Sequence, residues 1–295
     1  MNSFVSIIIP TFKDWKRLSG CLAALEKQTY GLENFEIIVV NNDPKDIISK
    51  TFILPKNCFY LTEGKPGSYS ARNTALKQAK GSIIGFTDSD CIPDEAWISN
   101  AVELLSANED IFRIGGAIDI FFRDSFKPSA VELYETVFAF QQETYVKKYL
   151  TCVTGNLFAK RSVFDSIGAF DDNLLSGGDF EWGKRASIAG FKIVFSDRVV
   201  INHPARYKFS ELATKSRRVA GGHYHTHENK KGTVLFYISL IKKLIPLPTE
   251  ISSIFLKSTL NFRDKCKVFL IRYRLQLIYS ITLLKLRNGH QAERF

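Results

Sequence analysis

Cysteines are few and spaced without pattern: Cys21, Cys58, Cys91, Cys152 and Cys266 form no C-x-x-C pair. That argues against a zinc site and a disulfide framework, and fits a reducing compartment. Neither G-x-G-x-x-G nor G-x-x-x-x-G-K-[ST] occurs, so a dinucleotide fingerprint and a P-loop are both missing. No basic region or small-residue cleavage site precedes the first apolar run, Val5-Ser6-Ile7-Ile8-Ile9, which reads as a protein without a signal peptide, placed in the cytoplasm. Long uncharged apolar runs are missing too. The segments 234–241, 251–256 and 268–286 are apolar, but Lys242, Lys243, Arg272, Arg274 and Gln276 interrupt any stretch of the roughly 20 residues that a spanning helix needs. There is no internal repeat and no low-complexity linker.

What is present is a chain of 295 residues, 45% hydrophobic, long enough to bury a real core as one large domain with an appendage. The formal charge of +10 is unevenly placed. From Lys231 onward twelve Lys and Arg stand against three Asp and Glu, so the preceding part is close to neutral. A nearly neutral main domain speaks against nucleic acid as a partner. A basic, apolar-rich tail over 231–295 points to anionic lipid headgroups or, as the alternative, to packing on the domain or on a second subunit.

Strand and helix signals alternate from the start. The run 5–9 stops at Pro10 as a buried parallel strand does, and 15–28 carries Leu18, Cys21, Leu22 and Leu25 at helical spacing. Strands over 35–40, 59–61 and 83–86 alternate with a helical stretch over 70–79. The expected fold class is therefore α/β, with a mostly parallel central sheet flanked by helices. Further on, a strand is expected over 112–122, a long helix over 128–148, a helix opening at Asp179 and closed by Gly190, and short strands over 191–195 and 199–201. The segment 268–286 has apolar odd positions from Ile271 to Leu283, closer to a period of two, although its length favours helix.

Thr87-Asp88-Ser89-Asp90-Cys91 ends the strand over 83–86 with two carboxylates. At the carboxyl edge of an open α/β sheet such a pair suits a divalent cation holding a diphosphate. The other reading is a helix cap, with Pro93 early in a helix and Asp94 and Glu95 in its next turn.

Several motifs in order carry a resemblance. Ser6-Ile7-Ile8-Ile9-Pro10-Thr11-Phe12, then Glu36-Ile37-Ile38-Val39-Val40-Asn41-Asn42, then Ser70-Ala71-Arg72-Asn73 precede Asp88-Ser89-Asp90. Gly168-Ala169-Phe170-Asp171 is followed by Ser176-Gly177-Gly178-Asp179-Phe180-Glu181-Trp182-Gly183-Lys184-Arg185. Over residues 4 to 225 the chain resembles the family 2 glycosyltransferases of GT-A fold, whose later block reads Gly-Glu-Asp-x-Asp-Leu-x-x-Arg.

The resemblance implies an inverting, metal-dependent transfer of sugar from a nucleotide-diphosphate sugar to a hydroxyl of a glycan or lipid-linked acceptor, with Mn2+ or Mg2+ as cofactor. It implies a nucleotide-sugar-binding half over 1–110 and an acceptor half over 111–230; the basic tail over 231–295 is expected as a helical appendage, at the inner face of the membrane or in subunit packing. Asp90 is expected to coordinate the cation, with Asp88 on the ribose or the metal's water shell, and His203 resembles the histidine that completes the metal site. Asp179 falls where the family has its catalytic base, or else merely caps its helix. Gly178 stands where the family has glutamate, and Glu181 is the reserve base.

For the donor, Pro10, Thr11, Asn42, Arg72 and Ser89 are the expected contacts. Asn42 stands where many members have aspartate, and its amide suits uracil or thymine; Arg72 suits phosphate oxygens, or is an ordinary early-helix residue beside Asn73. Gly155, Asn156, Gly178, Glu181 and Trp182 are expected around the acceptor or sugar. Lys215, Arg217 and Arg218 belong to a basic loop over the diphosphate or to a solvated helix end. His223, His225 and His227 alternate, but only His223 and His227 share a helical face and no cysteine lies near, which disfavours zinc. Two other readings are a nucleotidyltransferase, which would need a glycine-rich basic loop after the first strand, and a non-catalytic partner in a glycan assembly complex.

Overall fold

The structure, a computed structural model, describes residues 3–174 and 176–290. Leu175 of the 171–178 turn, the first two residues and the tail charges Glu293 and Arg294 lie outside the described residues. Two compact units are present. One is Met1–Asp119 with Phe140–Asn173 and Gly178–His203, and the other is Ile120–Ala139 with Leu174–Gly177 and Pro204–Phe295.

The first unit is built on an eight-stranded sheet. Strands β1 (Val5–Thr11), β2 (Phe35–Asn41), β3 (Cys58–Thr62) and β4 (Ile83–Thr87) come first, then β5 (Ile92–Pro93), β6 (Ile111–Phe121), β7 (Asn156–Lys160) and β8 (Lys192–Pro204). Their spatial order is β3-β2-β1-β4-β7-β6-β8-β5. The four early strands run parallel, and β7 adds antiparallel to β4. The chain adopts the expected α/β class, in a mixed sheet whose four early strands are parallel and whose later pairings are antiparallel.

β1 and β2 are buried along their whole length because both faces are covered. Alternate residues point to opposite faces of a strand. Val5, Ile7, Ile9, Ile37 and Val39 accordingly enter one core with Leu18, Cys21, Leu22 and Leu25 of α1 (Trp15–Leu25). Ile8, Ile38 and Val40 enter a second core with Tyr69, Ala71 and Ala75 of α2 (Ser68–Gln78). That second core also takes Trp182 and Ala186 from α7 (Gly178–Ile188).

Three expectations about elements are corrected. Pro93 lies in β5, and α3 (Trp97–Ala107) begins only after Ala96, so Asp88-Ser89-Asp90 is not a helix cap. The helix expected over 128–148 is two: α4 (Ala130–Phe138) and α5 (Gln142–Tyr149). Ala139 is extended and Phe140 takes a left-handed φ of 49°, which breaks the hydrogen-bond ladder between them. The short strands over 191–195 and 199–201 are one continuous strand, β8. The 268–286 segment, near-alternating but long enough to favour helix, does lie inside one helix of 26 residues, α11 (Phe262–Arg287). There Val268, Ile271, Leu275, Leu283 and Leu286 are buried, steps of three and four or their sums that the sequence hides among other apolar residues.

In the second unit α4 and α8 (Phe209–Thr226), expected within the acceptor half, share a core with the tail. Val131, Tyr134 and Leu212 pack with Ile254 of α10 (Pro248–Phe255) and with Val268, Ile271 and Leu275 of α11. Glu135, on α4, is buried and ion-paired with Arg206 at 2.6 Å. α9 (Thr233–Leu244) lies between α8 and α10 in the chain and turns Phe236 into a small core with Ala220 and Leu283. Among the described residues no helix is long and apolar enough to cross a membrane.

Candidate active site

Asp88, Ser89 and Asp90 leave β4 at the carboxyl edge of the parallel strands, where open α/β sheets bind their ligands. Asp88 Oδ1 accepts from Arg72 Nη2 at 2.5 Å. Arg72 is only 3% exposed, carried into the protein by the early turns of α2, and its Nε has no hydrogen-bond partner among the described residues. Gly155 lies against the other oxygen of Asp88: a Cβ built there falls 3.4 Å from Oδ2. Ser89 is buried, its hydroxyl 3.4 Å from Asp14 Oδ2.

Asp90 meets a residue from the far end of the unit. β5 pairs antiparallel with β8, matching Ile92 with Asn202. That register sets His203 Nε2 3.6 Å from Asp90 Oδ1. His203 is buried, and the Phe140 ring packs at 4.5 Å from its imidazole, held by the left-handed turn that splits α4 from α5. Arg17 Nη1 approaches Asp90 Oδ2 at 3.3 Å and is itself held by Asp14 at 2.8 Å.

A divalent cation fits this donor set. One ligand atom each of Asp90, Cys91 and His203 lies within 4.8 Å of the others. Burial pushes the Cys91 thiol well above its usual range, and Asp88 and Asp90 push it further, so it stays protonated. The ligands that remain, a carboxylate and an imidazole, suit Mn2+ or Mg2+ better than a soft thiophilic ion.

Asp179 opens α7. Its side chain is partly accessible yet closely surrounded by protein, and this burial pushes its carboxyl above the ordinary aspartate value, with the Arg72 guanidinium the largest opposing influence. Oδ1 accepts from Tyr69 Oη at 3.2 Å and from the Phe180 backbone N–H at 3.0 Å. Both of these bonds fall on Oδ1, which leaves Oδ2 as the oxygen to take a proton. The backbone carbonyl of Asp179 accepts from Thr151 Oγ1 at 3.2 Å.

Pro10 and Thr11 end β1 beside β2, and the buried Thr11 hydroxyl has no partner among the described residues. Asn42 is differently employed. Its amide nitrogen donates to the carbonyls of Glu63 and Lys65 at 3.1 and 2.7 Å, and its oxygen accepts from Gly67 N–H at 2.6 Å. Both ends of the amide hold the turn ahead of α2. Asn156 is fully buried: it accepts from Trp97 Nε1 at 2.9 Å and donates to the carbonyls of Ala117 and Val199 at 2.7 and 2.9 Å. Trp182 is core, stacked on Phe164 at 4.5 Å with its indole N–H on the Gly168 carbonyl. Glu181 pairs with Arg185 at 2.7 Å along the surface of α7, away from the role of a reserve base. Arg217 and Arg218 lie in the middle of α8, within the second unit.

Sequence reading missed Tyr69, Arg17 and Phe140. Gly178 was the one signal for Tyr69: a Cβ at 178 would come within 2.8 Å of the Tyr69 ring. His223 and His227 do face each other, with ring centroids 5.1 Å apart, but their neighbours are Tyr279 and Glu228.

Residues 6–168 match the family model described as Glycosyl transferase family 2. The chain is 35% identical over 224 residues to Glycosyltransferase AglE of Haloferax volcanii, covering 74% of this chain and 72% of that protein. It is 24% identical over 220 residues to a dolichyl N-acetyl-alpha-D-glucosaminyl phosphate 3-beta-D-2,3-diacetamido-2,3-dideoxy-beta-D-glucuronosyltransferase of Methanococcus voltae, covering 69% and 68%. Its fold is similar to that of the mannosyltransferase PcManGT from Pyrobaculum calidifontis, solved in complex with GDP-Man and Mn2+. The TM-score is 0.62 at 16% identity, over 98% of this chain and 89% of that one.

Proposed function

The chain belongs to glycosyltransferase family 2, and on that premise we propose that it is an inverting, metal-dependent enzyme. It moves a sugar from a nucleotide-diphosphate sugar to a hydroxyl of a glycan or lipid-linked oligosaccharide, in the building of a cell-surface polysaccharide. The observation that carries this reading is the pairing of Asp90 with His203 at 3.6 Å, in the same unit as a base-competent Asp179. Asp90 and His203 would hold Mn2+ or Mg2+, which would supply charge neutralisation for a departing nucleoside diphosphate. Asp88, fixed by Arg72, would serve the ribose or the water shell of the metal. Pro10, Thr11 and Ser89 lie along the nucleotide, while Asn42 acts by holding the 63–67 turn.

In the transfer, Asp179 Oδ2 takes the proton of the acceptor hydroxyl as its oxygen bonds to the anomeric carbon, and the bond from that carbon to the diphosphate oxygen breaks. Attack opposite the leaving group inverts the centre. In this reading residues 1–110 serve the donor, 111–230 the acceptor, and 231–295 the membrane.

The tail supports a place on an anionic inner leaflet. α9 buries Phe236 but exposes Val234, Leu235, Ile238 and Ile241, with Ile245 just beyond its end. Lys242 follows Ile241 and Arg263 follows Phe262, both exposed, and Leu256 and Phe262 are 81% and 72% exposed. An apolar face with basic residues beside it is the pattern of an interfacial helix.

The test is a panel of nucleotide sugars incubated with purified protein and Mn2+ or Mg2+, with the anomeric configuration of the product read by NMR. Inverted product supports the reading. Retention of configuration, or no metal-linked nucleotide binding with any donor, contradicts it.

A further inference from the structure

The family block has glutamate before its catalytic aspartate, and this chain has Gly178. The structure gives the reason. A Cβ built on Gly178 meets Cε2, Cδ2 and Cζ of the Tyr69 ring at 2.8 to 2.9 Å, closer than real Cβ contacts come. Tyr69 is 7% exposed in the first turn of α2, with Phe170 at 5.8 Å on its ring and the Arg72 guanidinium 5.8 Å from its centroid. Phe170 and Arg72 pack on the ring, so a side chain at 178 fits only if the ring moves from this place. From that place the hydroxyl reaches Asp179 Oδ1 at 3.2 Å, beside the Phe180 N–H that accompanies it at 3.0 Å.

We propose that Tyr69 is the positioning residue for Asp179, and that Tyr69 and Gly178 are a matched pair in which the ring takes the space of the missing side chain. This rests on the reading of Asp179 as the base. With Oδ1 held by two donors, the carboxylate plane is set and Oδ2 is presented to the acceptor. Asp179 carries an upward-shifted pKa because it is buried, and the Tyr69 hydrogen bond, made to the ionised form, counters that. Tyr69 therefore sets both the direction and the proton affinity of the base. Nothing in this depends on the cation.

The test uses the full chain. The Asp179 carboxyl is titrated by 13C NMR, assigned by its loss in Asp179→Asn, in wild type, Tyr69→Phe, Gly178→Ala, Tyr69→Ala and Tyr69→Ala/Gly178→Ala. Hydrolysis of the nucleotide sugar, with water as acceptor, is followed against pH in the same set. Tyr69→Phe keeps the ring and is expected to raise the Asp179 pKa by roughly one unit, the size of one charge-assisted hydrogen bond. The acid limb of the hydrolysis profile should move up with it, while the KM for donor changes by less than about twofold, since uniform donor binding is untouched. Gly178→Ala should push the ring aside and reproduce the shift, and the double variant should be no worse than Tyr69→Ala. A Tyr69→Phe protein whose carboxyl pKa and acid limb both stay in place overturns the inference while leaving the base reading intact. An Asp179→Asn protein that still hydrolyses donor at the wild-type rate overturns the base reading, and the positioning role with it.

Discussion

His203 Nε2 stands 3.6 Å from Asp90 Oδ1, brought there by the antiparallel register of a two-residue strand, Ile92–Pro93, on Ile201 and Asn202. The two groups lie more than a hundred residues apart in the chain, and neither is a convincing ligand by its sequence surroundings alone. Side by side, a carboxylate and a buried imidazole are a donor set that suits a divalent cation, the role proposed for them above.

Removing either partner should uncouple nucleotide binding from metal. His203→Ala and Asp90→Asn are each expected to weaken Mn2+-dependent binding of the nucleoside diphosphate at least about tenfold, as loss of a metal-site group does. Calorimetric titration with and without Mn2+ reads this directly. Affinity unchanged in both variants would place the cation elsewhere.

Asn156 should behave as a structural residue. Its side chain satisfies Trp97 Nε1 and the carbonyls of Ala117 and Val199 inside the sheet. Asn156→Ala orphans three buried groups, and a loss of about 2–4 kcal/mol is expected in urea unfolding. A change below about 0.5 kcal/mol, the usual size for a site without buried partners, would refute this.

The exposed face of α9 should govern attachment to lipid. Ile238→Glu/Ile241→Glu places two charges on that face and leaves the buried Phe236 alone. Co-sedimentation with vesicles rich in phosphatidylserine or phosphatidylglycerol should fall by roughly tenfold or more, because each substitution removes apolar burial and adds repulsion. Undiminished sedimentation, or a change of oligomeric state in place of lipid binding, would assign the face to protein packing.

Much of the sheet is legible in the chain because its period is simple. Ile7 to Ile9 and Ile37 to Val40 are apolar at every position, as strands covered on both faces must be, and Leu18, Cys21, Leu22 and Leu25 mark one side of α1. What residue type and spacing cannot show is how polar groups are employed. Asn42 looks like a base-reading amide but is occupied by the turn over 63–67, and Trp182 and Asn156 look like pocket residues but lie in the core. Phe140 breaks a continuous helical pattern through a left-handed backbone that no local residue announces. Tyr69 was legible only backwards, from the absence of a side chain at Gly178.

The most direct test of the account is Asp179→Asn, examined for nucleotide-sugar binding and for transfer in the same preparation. Burial raises the wild-type carboxyl's pKa, so wild-type turnover should fall as pH drops through a value above the ordinary aspartate range, when Asp179 gains its proton. The variant should bind donor with Mn2+ within about twofold of wild type and lose roughly 100-fold or more in turnover, the usual size of a missing general base. An Asp179→Asn protein that transfers sugar at the wild-type rate, with the same acid limb, would contradict it.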